Sequence, residues 1–157
     1  MVALLSLHVL VQLLFPLRHH LYPGDVAWTD EGHRFSWRMK LRSKSHDLWL
    51  FVTDRTTGET WRIDPRAYLR GWQAGELAGR PDMILQLAHH VADDFRQRGY
   101  PEVQVRARAL TSLNGRRKQD LIDPTVDLTT KRRNIWPADW LLPLYEPLRR
   151  DATGSRS

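Results

Sequence analysis

Across residues 81–99 the side chains Met83, Leu87, Val91 and Phe95 recur at spacing four, and Ile84 and Ala88 widen the stripe. That period puts them on one side of an α-helix, and so broad an apolar stripe has to be covered by another element. The ends of the run agree. Pro81 and Asp82 suit a first turn, Arg96 and Arg98 a last turn, and Gly99 the residue just beyond it. The period then changes to two. In "EVQVRARAL" Val103, Val105, Ala107 and Ala109 alternate with Gln104, Arg106 and Arg108, so a half-buried strand follows the helix and supplies a surface for it to cover.

Other stretches read as strands too. Residues 34–42, "RFSWRMKLR", set Phe35, Trp37, Met39 and Leu41 on one side and Arg34, Ser36, Arg38, Lys40 and Arg42 on the other. Residues 48–53, "LWLFVT", form a nearly continuous apolar run of the kind buried on both faces. "DRTTGE" supplies turn residues before a short strand at residues 60–63, completing an antiparallel meander. Asp64 then stands where an N-cap belongs and Pro65 at the first position of a short helix. Beyond residue 109, Asn114 and Gly115 make the pair of a tight hairpin turn, and "KQDLIDP" is its return strand. The order of elements predicts an α+β fold: an antiparallel β-sheet or sandwich with one amphipathic helix packed on it.

The chain has 157 residues, enough for one domain with a core and too few for two comfortable ones. Residues 1–21 form an apolar segment, broken only by Ser6, His8 and Gln12 before Leu17. A bilayer core needs roughly 20 apolar residues as helix, with about 17 near the lower limit. The segment therefore reads as the end of a truncated transmembrane helix, with a buried N-terminal helix and a degenerate signal or anchor as the other readings. It lacks the basic start and small-residue cleavage site of a signal peptide. Residues 22–130 are the β-rich domain, and residues 131–157 are a surface-wrapping, aromatic and proline-rich segment with a frayed tail. A membrane location follows from the apolar segment.

The chemistry legible in the sequence is sparse. The absence of cysteine removes disulfides, thiolate catalysis and cysteine-bound metals. No phosphate-cradling glycine loop, nucleophile elbow or HExxH motif is present. His89 and His90 are adjacent, so on a helix they diverge by about 100° and cannot chelate one ion together. Asp93 and Asp94, four residues beyond them, could fix a tautomer or form surface ion pairs. Asp120, Asp123 and Asp127 lack the oxygen density of a calcium loop and suit turns and caps. No catalytic residue and no metal site is expected. Lys plus Arg outnumber Asp plus Glu by 24 to 18, which favours anionic partners without choosing among them. The cationic strand faces at residues 34–42 and at Arg106 and Arg108 carry no interleaved aromatics of their own, which disfavours nucleic acid. Solvent, an acidic peptide or membrane headgroups remain.

Three stretches, "WTDEGHRFSWRMKLRSKSHD", "YLRGWQAGELAGRPDMILQLAHHV" and "SLNGRRKQDLIDPTVDL", resemble in order the vitamin K-dependent gamma-carboxylase family and its bacterial relatives with the horizontally transferred transmembrane (HTTM) domain. The likeness runs from about residue 14 to about residue 128. It implies a multi-spanning membrane enzyme that uses reduced vitamin K, oxygen and carbon dioxide to carboxylate glutamyl side chains, with an extramembrane β-rich C-terminal part. Carried over, the glutamyl-substrate region falls on Trp28, Thr29, Gly32, Ser36, Trp37 and Met39, with Arg38, Lys40 and Arg42 giving an electrostatic rationale for an acidic peptide. The family's deprotonating base and quinone pocket belong to its membrane-spanning half, which would precede residue 1. The resemblance thus implies a C-terminal substrate-binding and structural part, inactive alone, holding no vitamin K hydroquinone itself. Its partners would be the membrane, a glutamyl-containing peptide and the missing membrane-spanning half, in cis or in trans, with no nucleic acid. The alternative is a small membrane-anchored binding or assembly module with a basic sheet face and no enzymatic activity. Arg18 after the apolar run would place the domain in the cytoplasm, whereas the eukaryotic family keeps it in the lumen.

Overall fold

A computed structural model describes residues 1–14, 26–29, 44–133 and 138–146. In chain order its elements are helix α1 (Val2–Leu14), the single turn α2 (Val26–Thr29), strands β1 (Lys44–Asp54) and β2 (Thr60–Ile63), a 3-10 turn (Pro65–Ala67), helices α3 (Gly71–Leu77) and α4 (Pro81–Gln97), strands β3 (Val103–Leu113) and β4 (Gln119–Asp120), and a second 3-10 turn (Leu128–Thr130). The four strands form one antiparallel sheet in the order β2-β1-β3-β4. The fold is the α+β architecture that the change of period predicts.

The sheet rests on β1 and β3, which pair along eleven residues each, from Lys44 opposite Leu113 to Asp54 opposite Val103. This register puts Leu48, Leu50 and Val52 on the same face as Val105, Ala107 and Ala109. Helix α4 covers that face with Ile84, Leu85, Leu87, Ala88, Val91, Ala92 and Phe95. Burying each of the larger of these side chains stabilises the fold by roughly 1.5–3 kcal/mol. Ala88 of α4 and Ala107 and Ala109 of β3 are the small residues of this shared core. Trp61, Phe95 and Tyr100 close the β2 end of the core, with ring centroids 4.9–5.9 Å apart.

Local chemistry fixes the ends. Asp64 accepts from the Arg66 N–H at 2.9 Å, the N-cap that its place before Pro65 implies. Gly99 has φ +100°, which stops α4 two residues after Gln97. Asn114 and Gly115 both have positive φ, as a type I′ turn requires, and Arg116 N–H closes the turn on the Leu113 carbonyl.

Two expectations change. Residues 48–53 are not buried on both sides: Leu50 and Val52 are fully covered, whereas Trp49 and Phe51 on the opposite face are only partly so. The helix sits on one side alone, and the apolar character of the other has a different cause. The return strand is two residues long, because the chain leaves the sheet after Asp120 to bury Leu121 and Ile122. The segment 138–146 runs alongside it, with Asp123 N–H bonded to Trp140 O and Leu142 N–H to Leu121 O, and Trp140 enters the core. The strand expected at residues 34–42 lies outside the described residues. Helix α1 is apolar and exposed throughout, yet its 13 residues span about 20 Å against a hydrocarbon core of about 30 Å. No helix among the described residues is long and apolar enough to cross a membrane.

Candidate functional site

The face of the sheet opposite α4 holds the cations. Register places Phe51 directly between Arg62 of β2 and Arg106 of β3, and Trp49 directly beside Arg108. With strands about 4.8 Å apart, the Cα atoms of Arg62 and Arg106 stand about 10 Å from each other across the aromatic ring's row. Arg108 is tied to Asp120 at 3.4 Å and Lys118 to Asp47 at 2.5 Å. Arg62 and Arg106 make no ion pair among the described residues. Two guanidinium groups without an ion pair among the described residues therefore flank a partly buried phenyl ring. Such a row can bind carboxylates by charge and bidentate hydrogen bonding, and can pack the stems of bound side chains on its aromatics.

The aromatics on this face were not legible strand by strand. Arg106 and Arg108 have none beside them in β3, and the rings come from the neighbouring strand. What signals them is the half-polar environment of "LWLFVT": once Leu50 and Val52 face the helix, Trp49 and Phe51 must face the arginines.

A second cluster lies at the other end of β1. Lys44 Nζ donates to the carbonyl of Trp28 at 2.7 Å, joining α2 to the sheet. Trp28 is wholly buried and its indole N–H donates to the Leu142 carbonyl at 2.7 Å. Thr29 is buried beside it. Of the residues that the resemblance assigns to the substrate region, these two are described, and both are buried. Gly32, Ser36, Trp37, Arg38, Met39 and Lys40 lie outside the described residues. One strand position further, His46 was not singled out at all. Period two in "HDLWLFV" carries the core face back from Leu50 through Leu48 to His46, and its Nδ1 is 3.3 Å from the buried Thr111 hydroxyl. Burial, then the charge of Lys44, pull its pKa down to about 4.

The remaining polar motifs are architectural. Gln119 uses both ends of its amide on the C-terminal segment, donating to Pro143 O at 2.8 Å and accepting from the Tyr145 and Glu146 N–H groups. Asp123 caps Thr125, and Asp127 accepts from Thr129, Val105 and Arg55. Asp120, Asp123 and Asp127 thus serve an ion pair, a turn and a cap. His89 lies against the Lys131 carbonyl at 2.9 Å, and His90 meets the edge of Tyr68. Asp93 and Asp94 pair with Arg96 and Arg98 rather than with the histidines. Tyr68 donates to Asp94 at 2.5 Å, and burial together with that carboxylate pushes the phenol up to about 12. No group of three metal-binding side chains occurs among the described residues. Among the described residues, the buried polar side chains Asp54, Thr111 and Ser112 are engaged by the chain's own groups.

Fold and face together define an α+β domain with arginines along one side of its sheet. Over residues 1–147 the sequence matches the family described as vitamin K-dependent gamma-carboxylase, lumenal domain, and the chain belongs to that family. No solved structure matches it. The motif "SLNGRRKQDLIDPTVDL" now has a physical reading: Asn114 and Gly115 turn the chain, Gln119 fastens the C-terminal segment, Asp123 and Asp127 cap, and Leu113 and Leu128 fill the core.

Proposed function

We propose that this chain is the substrate-holding and structural part of a membrane-associated vitamin K-dependent gamma-glutamyl carboxylase-like protein. It holds a glutamyl-containing peptide on the open face of the sheet and does not itself perform the carboxylation. The observation that carries this reading is the row Arg62–Phe51–Arg106, two arginines free of ion pairs among the described residues on either side of an aromatic ring, in a chain of the carboxylase family. Deprotonation of a glutamyl γ-carbon and the chemistry of vitamin K hydroquinone, oxygen and carbon dioxide belong in this reading to a membrane-spanning part, of the kind found with the HTTM domain. Trp28 and Thr29 act from the interior, setting where the stretch that follows them starts. Gly32, Ser36, Trp37, Arg38, Met39 and Lys40 belong to the same proposal through the family resemblance of their motif.

Calorimetric titration of the chain with a glutamyl-rich peptide and with its glutaminyl counterpart tests the binding half of the proposal. Preference for the glutamyl peptide that weakens with salt supports it, and equal affinity for both sinks it. Incubation with reduced vitamin K, labelled bicarbonate and the glutamyl peptide tests the other half: incorporation above blank would show that the chain carboxylates unaided.

A second reading is favoured by α1, whose apolar residues are all exposed. It makes the chain a membrane-anchored binding module without enzymatic activity, recognised by retention on anionic vesicles that survives loss of Arg62 and Arg106.

A further inference from the structure

His46 lies on the helix-covered face of β1, in line with Leu48, Leu50 and Val52. One ring edge meets the buried Thr111 hydroxyl of β3. The other presses on Gly79: a Cβ placed on that glycine would fall 2.4 Å from both Cε1 and Nε2. Real Cβ atoms do not come so near, so only glycine lets the corner between α3 and α4 close over the ring. That corner is three residues long, 78–80, and holds Ala78 in the interior next to Leu77. The imidazole is thus the spacer through which the corner rests on the sheet.

We propose that His46 is a proton-operated latch, which in its neutral form lets the α3–α4 corner close on the sheet and on gaining a second ring proton drives the corner open. An imidazolium has two N–H donors and a charge to satisfy. Thr111 can accept one of them, and the glycine face on the far edge offers no side chain for the other. The groups facing the ring sharpen the conflict. Lys44 sits two residues away on the same face of β1, and Lys118 comes from the β3–β4 connection. Asp47 on β1 is paired to that Lys118, and Glu76 on α3 is well exposed, 3.8 Å from Arg80. Both carboxylates are therefore engaged or solvated, and the largest influences on the ring are burial and then the charge of Lys44. Those same two influences hold the ring's pKa near 4, against 6.5 in an open chain.

The sign follows directly. The closed corner binds the proton more weakly than the open one, so the open state gains as pH falls through the window from 6.5 to about 4. Asp94, Asp123, Asp127 and Asp139 all have carboxyl groups held below their usual 3.8, so they stay ionised across that window. The bonds that these four carboxylates accept therefore persist while the ring takes up its proton. The corner lies beside the joint where Lys44 holds the Trp28 carbonyl, and opening exposes Leu77 and Ala78 next to the already exposed Trp72.

Amide hydrogen exchange of the full chain, followed by mass spectrometry from pH 7 to pH 4.2 and corrected for intrinsic rates, reads the latch. In the wild type, residues 74–84 should lose protection by about tenfold per pH unit inside the window, while β1 and β3 keep theirs. His46→Gln removes the titrating ring and should abolish that step. Gly79→Ala should push the imidazole aside and leave the same residues poorly protected already at pH 7. Retained wild-type protection down to pH 4.2, or an unchanged step in His46→Gln, would overturn the proposal. Should Gly79→Ala not fold, the His46→Gln comparison decides alone.

Discussion

The indole N–H of Trp28 donates to the carbonyl of Leu142, 114 residues along the chain, at 2.7 Å. This bond ties the first turn of the domain to its last described segment, and the ring around it is fully buried. Trp28→Phe keeps most of the packing and leaves the Leu142 carbonyl without its donor, a loss of about 1–3 kcal/mol. Trp28→Ala adds a cavity and should cost about 3–5 kcal/mol. Urea midpoints measure both. Refolded Trp28→Phe should bind a glutamyl peptide as the wild type does, because the ring has no exposed surface to offer it.

Gly99 ends α4 at φ +100° with nothing within 4 Å of where a Cβ would stand. Gly99→Ala therefore tests backbone strain free of any clash, and should lower stability by about 1–2 kcal/mol in a thermal or urea melt. A variant as stable as the wild type would mean the helix ends without needing the left-handed residue.

How much was legible before the structure follows from which forces act locally. The α4 stripe, its two ends, the period of β3 and the Asn114–Gly115 turn rest on neighbours within a few residues, and each is found where its pattern puts it. The shortness of β4 and the burial of Trp140 depend on partners tens of residues away. Phe51 and Arg62 became neighbours only through strand register, which no single stretch contains. His46 stood on a readable core face, yet its contact with Gly79 needed the path of the α3–α4 corner.

Asp127 gathers four donors from three elements: the N–H and hydroxyl of Thr129, the N–H of Val105 in β3, and Arg55 beyond β1. Burial pushes its carboxyl up, but the bonds from Thr129, Arg55 and Val105 outweigh it and hold the pKa below the usual value. Asp127→Ala strands a strand N–H and uncaps the 3-10 turn, at a cost of about 2–4 kcal/mol. The lowered pKa sets the pH course: the carboxylate's contribution is complete above about 3.8 and is lost as pH falls through its lower folded value. A urea series from pH 5 to pH 2 should show the wild type losing stability below pH 3.8 more steeply than Asp127→Ala.

Arg62→Gln with Arg106→Gln removes the two cations beside Phe51 without touching the covered face. At about 0.2–1 kcal/mol for each exposed contact, affinity for a glutamyl-rich peptide should fall about 2- to 30-fold, and the salt dependence should flatten. Thermal stability should stay within about 0.5 kcal/mol of the wild type. Calorimetric titration at two salt concentrations reads the first effect, and unchanged affinity would move the peptide away from this face.

The pairing of β1 with β3 bears on how the chain is made. Asp54 and its partner Val103 are 49 positions apart, and Lys44 and Leu113 are 69 apart. On a ribosome adding about 5–20 residues each second, β1 emerges roughly 2–14 s before the strand that completes it. In that interval the four-residue β2 is, among the described strands, the one there to pair with it, while Leu48, Trp49, Leu50 and Phe51 await both helix and partner strand. Helix α4, whose turns close locally, is finished first. Nascent chains of this protein are therefore at their stickiest halfway through synthesis, when the most apolar strand is out and the residues that will shield it are not.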